Sequence, residues 1–264
     1  MSNTRQTVIF DRLPKSSIPI VTLAYDYAPG HVVPLHFHDR DQLVFASRGV
    51  MTVRTARGAW VVPTHRAVWI PQRVPHTIAM SGRVAMRTLY LKPKLADSLP
   101  RDCCVLHIPA LLRELILHAC ACGRLGRRTA WQRHLVEVIL DQLRAIEVAP
   151  LQLPLPADPR ARRVADALLA DPSDRRPLAQ MARDSGAGSR TIERLFLDST
   201  GMTFGKWRQQ LRLMHALRLL GEGAKVTHAA LEAGYSTPSA FIAAFKRELG
   251  TTPSRYFKEA PRSS

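Results

Sequence analysis

The chain has 264 residues, 46% of them hydrophobic, enough for one large domain or two modest ones with real cores. Its 38 lysines and arginines against 21 acids give a formal charge of +17, which points to a polyanionic partner, nucleic acid first. The excess is 20 basic against 10 acidic residues in 1 to 157 and 18 against 11 in 158 to 264, so charge alone does not locate a nucleic-acid-binding half.

The opening MSNTRQ lacks the apolar core of a secretory signal, and no run approaches the roughly 18 apolar residues of a membrane span. A cytoplasmic protein is expected, with Cys103, Cys104, Cys120 and Cys122 reduced. From about residue 8 to residue 92 short β-rich runs alternate with turns: IPIVTLAY, QLVFASRG, VMTVRT, GAWVVP, AVWIP and MRTLYL. Strands so short and so regularly punctuated predict an antiparallel sandwich or small barrel, with a hairpin at Gly58.

Inside this region stands HVVPLHFHDRDQ, residues 31 to 42. Alternate residues of an extended chain face one way, so His36, His38 and Gln42 can point into one cavity. The neighbouring acids Asp39 and Asp41 sit at odd positions and face away.

After Pro100 the pattern changes to helical spacing, in PALLRELILHACAC (109 to 122) and AWQRHLVEVILDQLRAIE (130 to 147). Two amphipathic helices are predicted there, a pair suited to a dimer surface. His118, Cys120 and Cys122 spread over different faces of such a helix and do not converge on one ion. Four prolines within 150 to 159 then predict a stiff, extended spacer and a domain boundary.

The C-terminal part contains a repeat. Phe196, Gly201 and Trp207 recur 49 residues later as Phe245, Gly250 and Tyr256, and Gly186 recurs 48 later as Gly234. Each copy carries alanine, three residues, then glycine: Ala182 to Gly186 and Ala230 to Gly234. A helix-turn-helix needs a small residue where its helices cross and glycine where the chain reverses. Ser189 is the expected N-cap of the first recognition helix, and Thr237 with Pro238 supplies cap and N1 of the second. Between the copies, Phe204, Trp207, Leu211, Met214, Leu217 and Leu220 share one face of a long helix, with Arg208, Arg212 and His215 on another. Its length of roughly 26 to 30 Å approaches one DNA turn, so both recognition helices can enter successive major grooves.

The segment GYSTPSAFIAAFKRELGTTPSRYF resembles the AraC/XylS family of bacterial transcription regulators, and the likeness covers about residues 160 to 258. It implies a two-lobed DNA-binding domain, promoter DNA as partner and, for an activator, RNA polymerase. Candidate DNA contacts in the first lobe are Ser189, Arg190, Thr191, Glu193 and Arg194, where arginine suits a guanine edge and glutamate a cytosine amine. In the second they are Ser236, Pro238, Ser239 and Ile242. Ala243 stands where many members of the family carry arginine, so the first lobe is expected to dominate specificity.

Ahead of it, Gly30, His36, His38, Gln42 and Gly49, followed by PQRVPH ending in His76, resemble a cupin barrel. The resemblance implies that His36, His38 and His76 converge, with Gln42 in place of the usual glutamate. Three imidazoles suit zinc, nickel or iron, though without a carboxylate the hold is weaker. Alternatively His36, His38, Gln42 and His76 bind an organic effector beside Phe45, Trp60 and Trp69, or are satisfied polar residues with no ligand.

The expected class is α+β: an N-terminal cupin-like antiparallel β-barrel with two following helices, then an all-α double helix-turn-helix domain. Residues 1 to 149 form the effector-sensing and dimerisation domain, 150 to 159 the spacer and 160 to 264 the DNA-binding domain. The expected function is a regulator whose barrel senses a small molecule or metal ion. The alternative is a metal-dependent cupin dioxygenase or isomerase with a DNA-binding tail. Gln42 cannot titrate as an acid or base, which disfavours it.

Overall fold

The computed structural model describes residues 17–64, 66–146, 148–149 and 152–258. The MSNTRQ start and the first residues of the β-rich region lie outside them, as do Pro150 and Leu151 of the expected spacer. Two compact units emerge, one reaching Gln152 and the other formed by Leu153 onward together with Arg57–Ala59.

In the first unit β1 (Ile20–Tyr27), β3 (Asp41–Thr55) and β6 (His76–Leu91) form the centre of an antiparallel sheet, with β6 between β1 and β3. β2 (Val32–His36) pairs with the start of β6, and β5 (Arg66–Ile70) follows β3. β4 (Gly58–Val62) follows β3 across the short turn expected at Gly58. β7 (Cys104–His107), β8 (Arg124–Leu125) and β9 (Val148–Ala149) extend the sheet and were not foreseen, being too short for alternation to show.

The runs QLVFASRG and VMTVRT are one strand, and MRTLYL is only the end of a 16-residue strand. Turn signals misled here, because Gly49 (φ +82) and Gly82 (φ +72) bend paired strands instead of ending them. Arg48 faces Ala85 and Val50 faces Ser81, so extra residues of β6 bulge opposite Gly49. A Cβ at Gly49 would lie 2.3 Å from the Arg83 carbonyl oxygen. Gly49→Ala is therefore expected to cost about 1–3 kcal/mol, read as a lower urea midpoint, because backbone must move as well as φ.

Alternation gives the sheet two apolar faces. Leu43, Phe45, Trp69, Leu89 and Leu91 lie on the one covered by α1 (Ala110–Cys122) and α2 (Ala130–Arg144), through Leu112, Ile116, Val136, Ile139 and Leu143. Phe45 and Trp69 thus belong to the helix-side core, a correction to their expected place beside Gln42. The reason is parity, since Leu43 and Phe45 point opposite to Gln42.

The second unit is helical: α3 (Pro159–Ala170), α4 (Leu178–Asp184), α5 (Ser189–Thr200), α6 (Phe204–Gly221), α7 (Val226–Glu232), α8 (Pro238–Leu249) and α9 (Pro253–Lys258). It also holds part of β10 (Gln152–Pro154), within the Pro-rich stretch, and Asp158 caps α3 by accepting from the Arg160 amide at 2.9 Å. The repeated aromatics pair inside each lobe. Phe196 meets Trp207 edge-on at 5.2 Å, and Phe245 meets Tyr256 at 5.5 Å.

Candidate effector site and nucleic-acid interface

Both turns of the helical unit close alike. Ala182 and Ala230 are fully buried at the crossings, Ala187 N donates to Ala182 O at 2.9 Å, and Tyr235 N donates to Ala230 O at 3.0 Å. Gly186 and Gly234 have φ of +75° and +80° at these turns, as only glycine tolerates freely.

Each turn feeds a recognition helix. α8 starts as expected, with Thr237 Oγ1 accepting from the Ala240 amide at 3.1 Å and Pro238 at the first position. α5 does not: its cap is Gly188, with no side-chain bond, and Ser189 is already helical. A glycine one residue upstream can take the extended cap conformation, which moves the start by one.

Ile192 and Phe196 anchor α5 in the core, leaving Arg190, Glu193 and Arg194 exposed on one stripe with Leu197, which sequence reasoning omitted. Ser189 and Thr191 are half-buried beside them. Glu193 has a structural partner as well, its carboxylate accepting from the Phe204 amide at 3.3 Å at the start of α6. On α8 Ser239, Ile242 and Ala243 are exposed, with Ser236 just ahead and Pro238 half-buried. α6 is buried over more than the expected stripe, since Gln210, Leu213 and Ala216 are covered too. Its 18 residues span about 27 Å.

The barrel brings together the histidines that the sequence leaves 38 residues apart. His36 ends β2 directly opposite His76 at the start of β6, and His38 follows in the next turn. Ring centroids of His36 and His76 are 4.2 Å apart, of His36 and His38 4.9 Å, and of His38 and His76 5.6 Å. One ligand nitrogen from each falls within 4.8 Å of the others.

Two tautomers are set by the backbone. His36 Nδ1 lies 2.7 Å from the Pro34 carbonyl and His76 Nδ1 lies 2.9 Å from that of Val74. A carbonyl only accepts, so each Nδ1 carries the proton and each Nε2 keeps its lone pair. His76 Nε2 is buried with no hydrogen-bond partner among the described residues.

Burial holds the His38 and His76 rings neutral. The His38 pKa is pushed down to about 3, by desolvation first and then by His36 and His76. That of His76 is pushed down to about 4 by desolvation, then by His36, against the opposing Val74 hydrogen bond. Gln42 sits in the same wall, donating to the Tyr90 hydroxyl at 3.4 Å, and Tyr90 stacks edge-on against His38 at 4.9 Å. Tyr90 escaped sequence reasoning because nothing but the pairing of β3 with β6 places it opposite Gln42.

The acids turn away as expected: Asp41 accepts from the Gln72 amide at 2.9 Å and Asp39 meets Arg73 at 3.4 Å. The cysteines are thiols without disulfides. Burial raises the Cys120 and Cys104 pKa values to about 11, the opposite of an activated nucleophile. Cys122 Sγ lies 3.9 Å from His118 Nε2, one helical turn away, and Cys120 turns instead toward the Leu23 and Thr88 carbonyls. Among the described residues no helix is long and apolar enough to cross a membrane.

A β-domain with a buried polar cluster, joined in one chain to paired helix-turn-helix lobes, defines a DNA-binding regulator with a ligand-binding module. Comparison with known proteins agrees. Residues 19–176 match the family described as AraC-like ligand binding domain, and residues 181–259 match the family described as helix-turn-helix domain. The chain is 35% identical over 223 residues to the HTH-type transcriptional regulator NimR of Escherichia coli K12, covering 84% of this chain and 81% of the relative. It is 34% identical over 146 residues to the transcriptional regulator RipA of Corynebacterium diphtheriae, covering 50% and 43%. A crystal structure of fatty-acid-bound ToxT from Vibrio cholerae aligns over 93% of this chain and 97% of that one, with 13% identity and a TM-score of 0.38. The chain belongs to the AraC family of helix-turn-helix transcription regulators.

Proposed function

We propose that this regulator reads promoter DNA mainly through α5 and is controlled by a divalent transition ion bound at His36, His38 and His76. The observation that carries the metal reading is the backbone fixation of His36 and His76. Protonated Nδ1 atoms held by carbonyls aim basic Nε2 atoms inward, the arrangement that orients histidine ligands. Three neutral nitrogens without a carboxylate favour zinc, nickel or iron over magnesium or calcium. An ion held there would supply positive charge and tie β2 to β6.

Control of transcription requires only that the ion prefer one of two arrangements of the protein that differ in DNA affinity. The test compares duplex affinity of the full chain after chelation and after addition of zinc, nickel or iron(II). Equal affinities in all states would remove the ion as effector and leave an organic molecule, oriented by Gln42 and Tyr90, as the occupant to screen for. Exposed Leu111, Trp131 and Val138 on α1 and α2 support a homodimer, to be checked by sedimentation.

On the DNA side, Arg194 is the residue proposed to meet a base edge, with Arg190 and Thr191 beside it. Glu193 instead supports α6, while Ser236, Ser239 and Ile242 offer α8 hydroxyl and apolar contacts. Arg194→Ala is expected to weaken binding to a site selected from a random library by about 1–3 kcal/mol. Affinity for an unrelated duplex should stay almost unchanged. Equal losses on both would make the contact one to phosphate.

A further inference from the structure

A further concentration of charge lies within the helical unit, beside the entry to α8. Arg175, from the loop before α4, meets Arg208 and Arg212 of α6 and the turn residues Gly234 and Ser236 around a cleft of about 270 Å³. Its lining contains no carboxylate. Asp174 is close, but its carboxylate is bound to the Arg176 guanidinium at 2.7 Å, and Arg176 also reaches Asp184 at 3.0 Å.

The arginines are held in place by backbone carbonyls. Arg208 donates to Arg176 O at 2.9 Å and to Asp174 O, Arg212 donates to Asp174 O at 3.0 Å, and Arg175 reaches Tyr235 O at 3.5 Å. Gly234 leaves room for them, since a Cβ there would lie 2.9 Å from Arg212 Nε. The Nε atoms of both Arg208 and Arg212 are buried without hydrogen-bond partners among the described residues. Like charges gathered at half-burial with spare donors repel one another, and burial disfavours the charge of both. An anion with several oxygens relieves both problems, and the planar fork of arginine matches a phosphate.

We infer that this cleft seats a backbone phosphate of DNA and anchors the second lobe. Ser236 directly precedes the Thr237 cap, so the cleft opens at the entry to α8. That helix exposes Ile242 and Ala243 and has little with which to read bases, so a sequence-independent anchor is the contribution left to its lobe. The inference rests on the DNA-binding reading above.

The test measures binding of the full chain to two unrelated mixed-sequence duplexes over a range of salt, for wild type, Arg175→Gln and Arg175→Lys. Arg175 is exposed, so its loss should leave the melting temperature unchanged. The Gln variant should reduce the slope of log K against log salt by about 0.9, equally on both duplexes, and the Lys variant should restore it. An unchanged slope, or a loss on one duplex only, overturns the inference. So does an unchanged slope with inorganic phosphate raising the melting temperature of wild type alone at matched ionic strength, which would make the cleft a free-anion site. Failure of wild type to bind either duplex would count against the DNA reading itself, a separate result.

Discussion

Replacing His36 and His38 together with alanine is expected to abolish metal retention, from near one ion per chain to none by elemental mass spectrometry. Removing two of three ligands leaves His76 alone, and affinity should fall by more than about 100-fold, since even the loss of a group that merely orients a ligand costs 10–100-fold. Neither ring belongs to the apolar cluster between the sheet and its two helices, so that part of the core is left intact. Fluorescence of Trp60 and Trp69, buried elsewhere in the same unit, reports whether the fold is retained. Wild type emptied of metal and then incubated with zinc, nickel or iron(II) should regain it while the variant does not. Wild type that takes up none of the three would end the metal reading.

Acid should destabilise the metal-free barrel steeply. With His38 and His76 held near 3 and 4, the folded protein resists protons that the unfolded chain accepts below about pH 6.5. Unfolded chains then bind more protons, so stability is complete above pH 6.5 and is lost as pH falls toward 4. Each histidine contributes a slope of about 1.4 kcal/mol per pH unit in that window. Urea midpoints of metal-free protein between pH 7 and pH 4.5 check this, and His76→Gln should flatten the curve. A wild-type midpoint constant from pH 7 to pH 5 would mean that the rings are hydrated or already charged.

Much of the helical unit was legible because its signals are local or repeated. The spacing of Ala182 to Gly186, matched at Ala230 and Gly234, encodes a turn within a few residues, and the recurring Phe196 and Phe245 mark where each lobe closes on Trp207 or Tyr256. Ser189 shows the limit, for cap preferences cannot tell it from the glycine before it. The histidine cluster was legible through alternation in HVVPLHFH and through resemblance, which brought in His76. In the sheet, the run QLVFASRG looked as if it ended at Gly49, and only pairing revealed that glycine as a bend.

The sequence by itself determined the two helix-turn-helix turns, because turn chemistry and a repeat are written in neighbouring residues, while resemblance supplied the class of protein and placed His76 with His36 and His38. The tertiary structure alone decided which face of the sheet Phe45 and Trp69 occupy, that Tyr90 stands beside His38, and that Arg175, Arg208 and Arg212 share one cleft. Those facts depend on strand register and on helices crossing between residues tens of positions apart, and no local pattern carries that information.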